Sequence, residues 1–123
     1  MGVVLDTSVL IEWERKAEAL QAYAAAYPDE PLGLSVISAA ELLHGVHRAE
    51  SAARHLKRSA FVEQVLSSFP VYDFDPAVSR LYAELWATLE RTGLRVGAHD
   101  LIIGATAISR GDTVLTLNRR DFG

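Results

Sequence analysis

Hydrophobic residues recur along this chain with two different periods, and the switches between them mark out its elements. Residues 3–5 form a short unbroken apolar run closed by Asp6, the pattern of a buried parallel strand with a carboxylate at its carboxyl end. Helical spacing follows over 9–13, and the alanine-rich stretch 17–27 predicts a second helix stopped by Pro28. A loop with Pro28, Asp29, Glu30, Pro31 and Gly33 leads into a second apolar run at 34–37. Ser38 followed three residues later by Glu41 has the form of a capping box, which predicts a helix carrying Leu42, Leu43 and Val46 inward.

Helical spacing resumes over 49–67 and ends before Pro70, and a third short strand is predicted at 71–74. Asp75 and Pro76 are an N-cap and a first-turn proline, opening a helix with Val78, Leu81, Tyr82, Leu85, Trp86 and Leu89 on its apolar face. Thr92 and Gly93 close it. A last helix over 98–109, the turn Gly111–Asp112 and a strand over 113–117 complete the pattern. Strands alternating with helices predict an α/β fold with right-handed crossovers and a mainly parallel sheet covered on both faces. Ligands bind such sheets beyond the carboxyl ends of their strands.

Composition narrows the function more than the fold. The chain has 123 residues, half of them hydrophobic and 23% charged, which fits one globular domain over 1–123 and excludes a disordered chain. It has no cysteine, so any metal must take oxygen or imidazole ligands. No apolar run is long enough to span a membrane and the first residues do not form a signal peptide, so a soluble, cytoplasmic protein is expected. The net charge of −4 argues against holding nucleic acid by bulk electrostatics. Basic residues are nevertheless gathered locally, with Arg48, Arg54, Lys57 and Arg58 in one segment and Arg119 and Arg120 near the end.

Three acids sit where strand ends or helix starts would place them: Asp6 after the first strand, Glu41 past the second, and Asp100 at the head of the last helix. Each borders an apolar stretch, where an unpaired charge is costly, and an all-oxygen set of this kind suits a hard cation such as Mg²⁺ or Mn²⁺. Local roles compete with that reading. Glu41 is equally explained as the partner of Ser38 in the capping box and Asp100 as a first-turn acid; Asp6 is harder to explain that way, although the segment Asp6, Thr7, Ser8 also has the form of a strand-to-helix cap. Asp75 needs nothing beyond its capping role.

The segments VVLDTSVLIEW, SVISAAELLHG, GAHDLIIGATA and TVLTLNRRDF, in this order and spacing, resemble PIN-domain ribonucleases of the VapC toxin family. The resemblance runs from the first residues almost to the last. It implies a PIN-like three-layer α/β/α fold with four or five strands, since the family continues past the DF segment into a further strand whereas this sequence ends at Gly123. It also implies a Mg²⁺- or Mn²⁺-dependent endoribonuclease toxin, homodimeric and neutralised by a VapB-type antitoxin, with metal ligands Asp6, Glu41 and Asp100. A fourth family acid is replaced here by Asn118, whose amide carbonyl can still coordinate a metal or a water but brings no charge. Asp121 lies three residues on and reads as a turn acid. The replacement keeps a catalytically weak partner-binding module open as an alternative, beside a nuclease acting on DNA.

Thr7, Ser8 and Thr116 have hydroxyls placed to orient carboxylates or waters, or to cap and pack locally. His44, His47 and His55 read as solvated-face residues rather than zinc ligands, while His99 adjoins Asp100 near the substrate. Trp13, Tyr23, Tyr82 and Trp86 fall at helical spacing among apolar neighbours and are expected in core or dimer packing. The cluster from Arg48 to Arg58 suits RNA phosphates, an acidic antitoxin segment or plain solvent; Arg119 and Arg120 stand beside the candidate acids.

Overall fold

The computed structural model describes residues 2–117, so Asn118, Arg119, Arg120 and Asp121 lie outside the described residues. Strand β1 (Val3–Leu5) leads through α1 (Thr7–Arg15) and α2 (Ala17–Ala26) to β2 (Leu32–Ser35). Helices α3 (Val36–His47) and α4 (Ala52–Ser68) connect to β3 (Val71–Tyr72), then α5 (Pro76–Thr92) and α6 (Ala98–Arg110) to β4 (Thr113–Leu115). The strands lie in the order β3-β2-β1-β4 and every pairing is parallel. Val3 pairs with Leu32 on one side and Thr113 on the other, which puts β1 in the middle with both faces covered.

The period-two alternation of β1 builds the two sides of the sheet. Val3 and Leu5 pack with Val9, Leu10 and Trp13 of α1, with Leu42 and Val46 of α3, and with Val62 and Val65 of α4. Val4 faces the other way, onto Ile103 and Ala107 of α6. Val4, Leu5, Leu10, Leu34 and Ile103 are fully buried, and each such side chain stabilises the fold by roughly 1.5–3 kcal/mol. The expected helices-on-both-faces arrangement is therefore present. Trp13 lies in the core, whereas Trp86 is 53% exposed, its ring tilted against Tyr82 and lining a surface hollow with Leu94, Val96 and Leu101.

Several predicted boundaries move. The second strand runs over Leu32–Ser35 rather than 34–37, and the helix after it starts at Val36, capped by Ser35, whose Oγ accepts from the Ile37 amide at 3.1 Å. The capping box expected at Ser38 and Glu41 is thus corrected. Two serines three residues apart compete for the cap, and the extended backbone of Ser35 at the end of β2 decides in its favour. The third strand stops at Tyr72 and the fourth at Leu115, each shorter than its apolar run. Asp75 does cap α5, its Oδ1 accepting from the Val78 amide at 2.9 Å, and Gly93 closes that helix at φ 75°, where a left-handed residue is required.

A latch fixes the amino-terminal edge of the sheet. Asp112 accepts from the Gly2 amide at 3.0 Å through Oδ1 and from Arg110 Nε at 3.0 Å through Oδ2. The Arg110 guanidinium in turn lies 3.6 Å over the Tyr72 ring, and that ring covers Gly33, where a Cβ would collide with it. Gly2, Arg110 and Asp112 stand at the edge opposite the carboxyl ends of the strands, and the Tyr72 ring reaches back to them from the end of β3.

Candidate active site

Chain direction brings the three acids to one edge. Asp6 follows β1, Glu41 lies in the second turn of the helix that leaves β2, and Asp100 lies in the first turn of α6. Helix α6 returns to the start of β4, so its own start lies at the carboxyl edge of the parallel sheet. That edge is where open α/β sheets bind ligands.

Asp6 is 3% exposed and held by hydroxyls. Its Oδ2 accepts from Ser8 Oγ at 2.5 Å, from Thr116 Oγ1 at 2.8 Å and, as the cap of α1, from the Ser8 amide at 3.4 Å. Ser8 Oγ accepts in turn from the Leu117 amide at 3.1 Å. One hydroxyl thereby fastens the aspartate to the backbone one residue ahead of Asn118. The cap that the segment Asp6, Thr7, Ser8 offered is formed, and it uses the same oxygen that the two hydroxyls hold.

Thr7 points the other way, into α3. Its 8% exposed side chain places Oγ1 2.8 Å from Glu41 Oε1 and 2.9 Å from the buried Ser38 Oγ. A carboxylate only accepts, so the Thr7 proton goes to Glu41 and Ser38 donates to Thr7. The second Glu41 oxygen, Oε2, lies 3.5 Å from His99 Nδ1, at a side chain that is 34% exposed. His99 immediately precedes Asp100, whose Oδ2 lies over Gly97 at the start of α6, 3.5 Å from where a Cβ would stand. Glu41 thus contacts Thr7 and His99, the chain neighbours of Asp6 and Asp100, so the three distant segments meet around it.

The hydroxyls of Thr7, Ser8 and Thr116 all contact carboxylates, one of the two roles open to them, whereas Ser38 sits inside α3 instead of capping it. Spacing held the clue, since Ser38 and Glu41 are three apart and share a helix face. His99 was expected near the substrate and lies against Glu41. Among the described residues no group of three or more His, Asp or Glu side chains is gathered so that it would hold a metal ion. The donor chemistry itself fits a hard dication: carboxylate oxygens backed by hydroxyls, with no sulfur.

Beside Glu41 opens a cavity of about 250 Å³ between α1, α3 and α4, floored by Ile11, Leu42, Phe61 and Val62 and bounded by Arg58. Arg58 lies 3.5 Å from Glu14 and donates to the Gly45 carbonyl at 3.3 Å. No helix among the described residues is long and apolar enough to cross a membrane.

The profile of the PIN domain family matches residues 3–122. A ribonuclease VapC1 of Rickettsia felis is 36% identical over 99% of this chain and 89% of its own length, and a ribonuclease VapC of Rickettsia bellii is 34% identical over the same shares. Among solved structures, VapBC2 from Rickettsia felis bound to a DNA fragment from its promoter superposes with a TM-score of 0.89 at 26% identity, covering 99% of this chain and 91% of that one. DNA-bound VapBC from Salmonella typhimurium gives 0.89 at 28% identity, covering 99% and 90%.

Proposed function

The chain belongs to the PIN domain family, among relatives named VapC ribonucleases, and from that premise we propose that it is a metal-dependent endoribonuclease toxin neutralised by a VapB-type antitoxin. It acts in the cytoplasm as a homodimer of a single catalytic domain, with Mg²⁺ or Mn²⁺ as cofactor. The observation that carries this reading is that Thr7, next to Asp6 in the chain, donates to Glu41, and that Glu41 faces His99, next to Asp100, at the carboxyl edge of a parallel sheet.

Asp6, Glu41 and Asp100 would hold the cation. When bound, it supplies charge neutralisation at the phosphodiester and a nucleophilic water at neutral pH. The protein's part is orientation. Ser8 and Thr116 turn the Asp6 carboxylate by gripping Oδ2, and Thr7 fixes Glu41 by gripping Oε1. Such support tunes the ligands of a metal as much as the ligands themselves do. Asn118 offers a carbonyl oxygen for a water or a weaker second ion.

Replacing Asp6 or Asp100 with Asn is expected to stop RNA cleavage and growth arrest. EDTA is expected to abolish the wild-type activity and Mn²⁺ to restore it. Full activity in either variant, or in EDTA, would overturn the assignment. The uncharged Asn118 favours one second reading, a catalytically weak partner-binding module, and calorimetric titration separates the two: that module shows no binding at millimolar Mn²⁺.

A further inference from the structure

The geometry points to a phosphate track for single-stranded RNA along the start of α4, running away from the Glu41 pocket over Arg54 and Lys57. This inference rests on the ribonuclease reading and adds the path of the substrate.

The acidic site creates the need. A chain of net charge −4 that presents carboxylates to a polyanion repels it, unless a local positive field lies beside the point of cleavage. Such a field adjoins the site. Arg58 bounds the cavity that contains Glu41, and the same side chain lines two further surface hollows, one with Arg15, Arg54 and Lys57 and one with Arg48 and Arg54. Their acids are Glu14, already against Arg58, and Glu50. Five cations against two acids leave this strip with three net positive charges while the whole chain is negative.

The position of the cations on their helix is the second argument. Helix α4 is capped by Ser51 and has no acidic residue in its first turn, where the backbone N–H groups make a positive end. Arg54 adds positive charge to that first turn, against the preference of the helix dipole, and Lys57 follows in the second turn. A placement that works against the helix is expected where a ligand uses it. Guanidinium and ammonium groups at the positive end of a helix suit phosphate oxygens. Residues 54 and 58 are also separated by about 6 Å along the helix axis, one turn, so successive cations step along one face. Arg54 and Lys57 are exposed.

The test compares the wild type with Arg54→Gln/Lys57→Gln on two substrates, a dinucleotide spanning one scissile bond and a single-stranded RNA of twelve nucleotides. The variant should cleave the dinucleotide like the wild type, and should raise KM for the longer RNA with kcat unchanged. Binding of the longer RNA to an Asp6→Asn background, read by fluorescence anisotropy, should lose about 1.4 from its log–log salt slope, since each single-strand phosphate contact contributes about 0.7. Between 50 and 200 mM salt the wild-type surface should therefore lose about sevenfold more affinity than the variant. The thermal midpoint should not fall. An unchanged KM and salt slope overturns the track, as does equal damage on both substrates. Normal RNA kinetics with lost inhibition by antitoxin would assign the strip to the protein partner and overturn it too. Failure of the underlying nuclease reading looks different: an Asp6→Asn protein that still cleaves.

Discussion

Replacing Thr7 with Val tests whether Glu41 is held by hydroxyl chemistry or only by packing. Valine keeps the branched shape and removes one oxygen. That oxygen lies 2.8 Å from Glu41 Oε1 and 2.9 Å from Ser38 Oγ, so its loss removes a hydrogen bond to a charged acceptor and strands a serine hydroxyl that is 0% exposed. A bond to a charged group contributes roughly 1.5–3 kcal/mol, and an orphaned buried hydroxyl costs roughly 1–3 kcal/mol. Glu41 is 34% exposed and recovers water on its side, which puts its share at the low end. The expected destabilisation is about 2–3 kcal/mol in urea unfolding.

The same change releases Glu41 as a ligand. Loss of such a supporting hydrogen bond typically lowers metal affinity or activity by about 10–100-fold, which Mn²⁺ titration and RNA cleavage read directly. Two controls separate hydroxyl from shape. Thr7→Ser keeps the oxygen and should restore activity, at about 0.8 kcal/mol for the lost methyl. Adding Ser38→Ala to Thr7→Val removes the orphan and should return about 1 kcal/mol of stability without returning activity. A Thr7→Val protein within about 0.5 kcal/mol and twofold in rate of the wild type would refute the reasoning.

Ser8→Ala should lower cleavage by about 10–100-fold with only about 1 kcal/mol of stability, because the hydroxyl joins Asp6 Oδ2 to the Leu117 amide; cleavage within twofold of wild type would remove Ser8 from the site. Gly33→Ala drives a Cβ into the Tyr72 ring, which must leave its place under Arg110; about 1–3 kcal/mol of destabilisation is expected, and it should vanish in a Tyr72→Ala background. Undiminished destabilisation in that background would place the strain elsewhere.

The architecture was legible because the hydrophobic pattern carries it. Val3, Val4 and Leu5 form one apolar run with no polar face, and such a run belongs to a strand covered on both sides, as β1 is. Asp75–Pro76 and Gly93 marked the ends of α5 because each has one dominant local chemistry. Boundaries failed where two residues had the same chemistry. Ser35 and Ser38 both cap well, and the cap goes to Ser35 because the register of β2 against β3, which pairs Ser35 with Tyr72, keeps it extended. Local sequence contains no term for that pairing.

The candidate site was legible as three acids but not as a mechanism of support, for a related reason. A carboxylate beside an apolar run announces a cost that something must offset, and it does so from sequence alone. Which group offsets it depends on contacts between residues 31 to 110 positions apart, such as Thr7 to Ser38 and Thr116 to Asp6. Hydroxyls satisfy caps, strands and carboxylates with equal ease, so their residue type does not select among those partners. Geometry selects: successive residues point Asp6 toward β4 and Thr7 into α3, and one tripeptide, Asp6–Thr7–Ser8, thereby grips both sides of the site. If that division is what the active site requires, inserting a single residue between Asp6 and Thr7 should uncouple the placement of Asp6 from the Thr7–Glu41 contact and abolish cleavage while the sheet still folds.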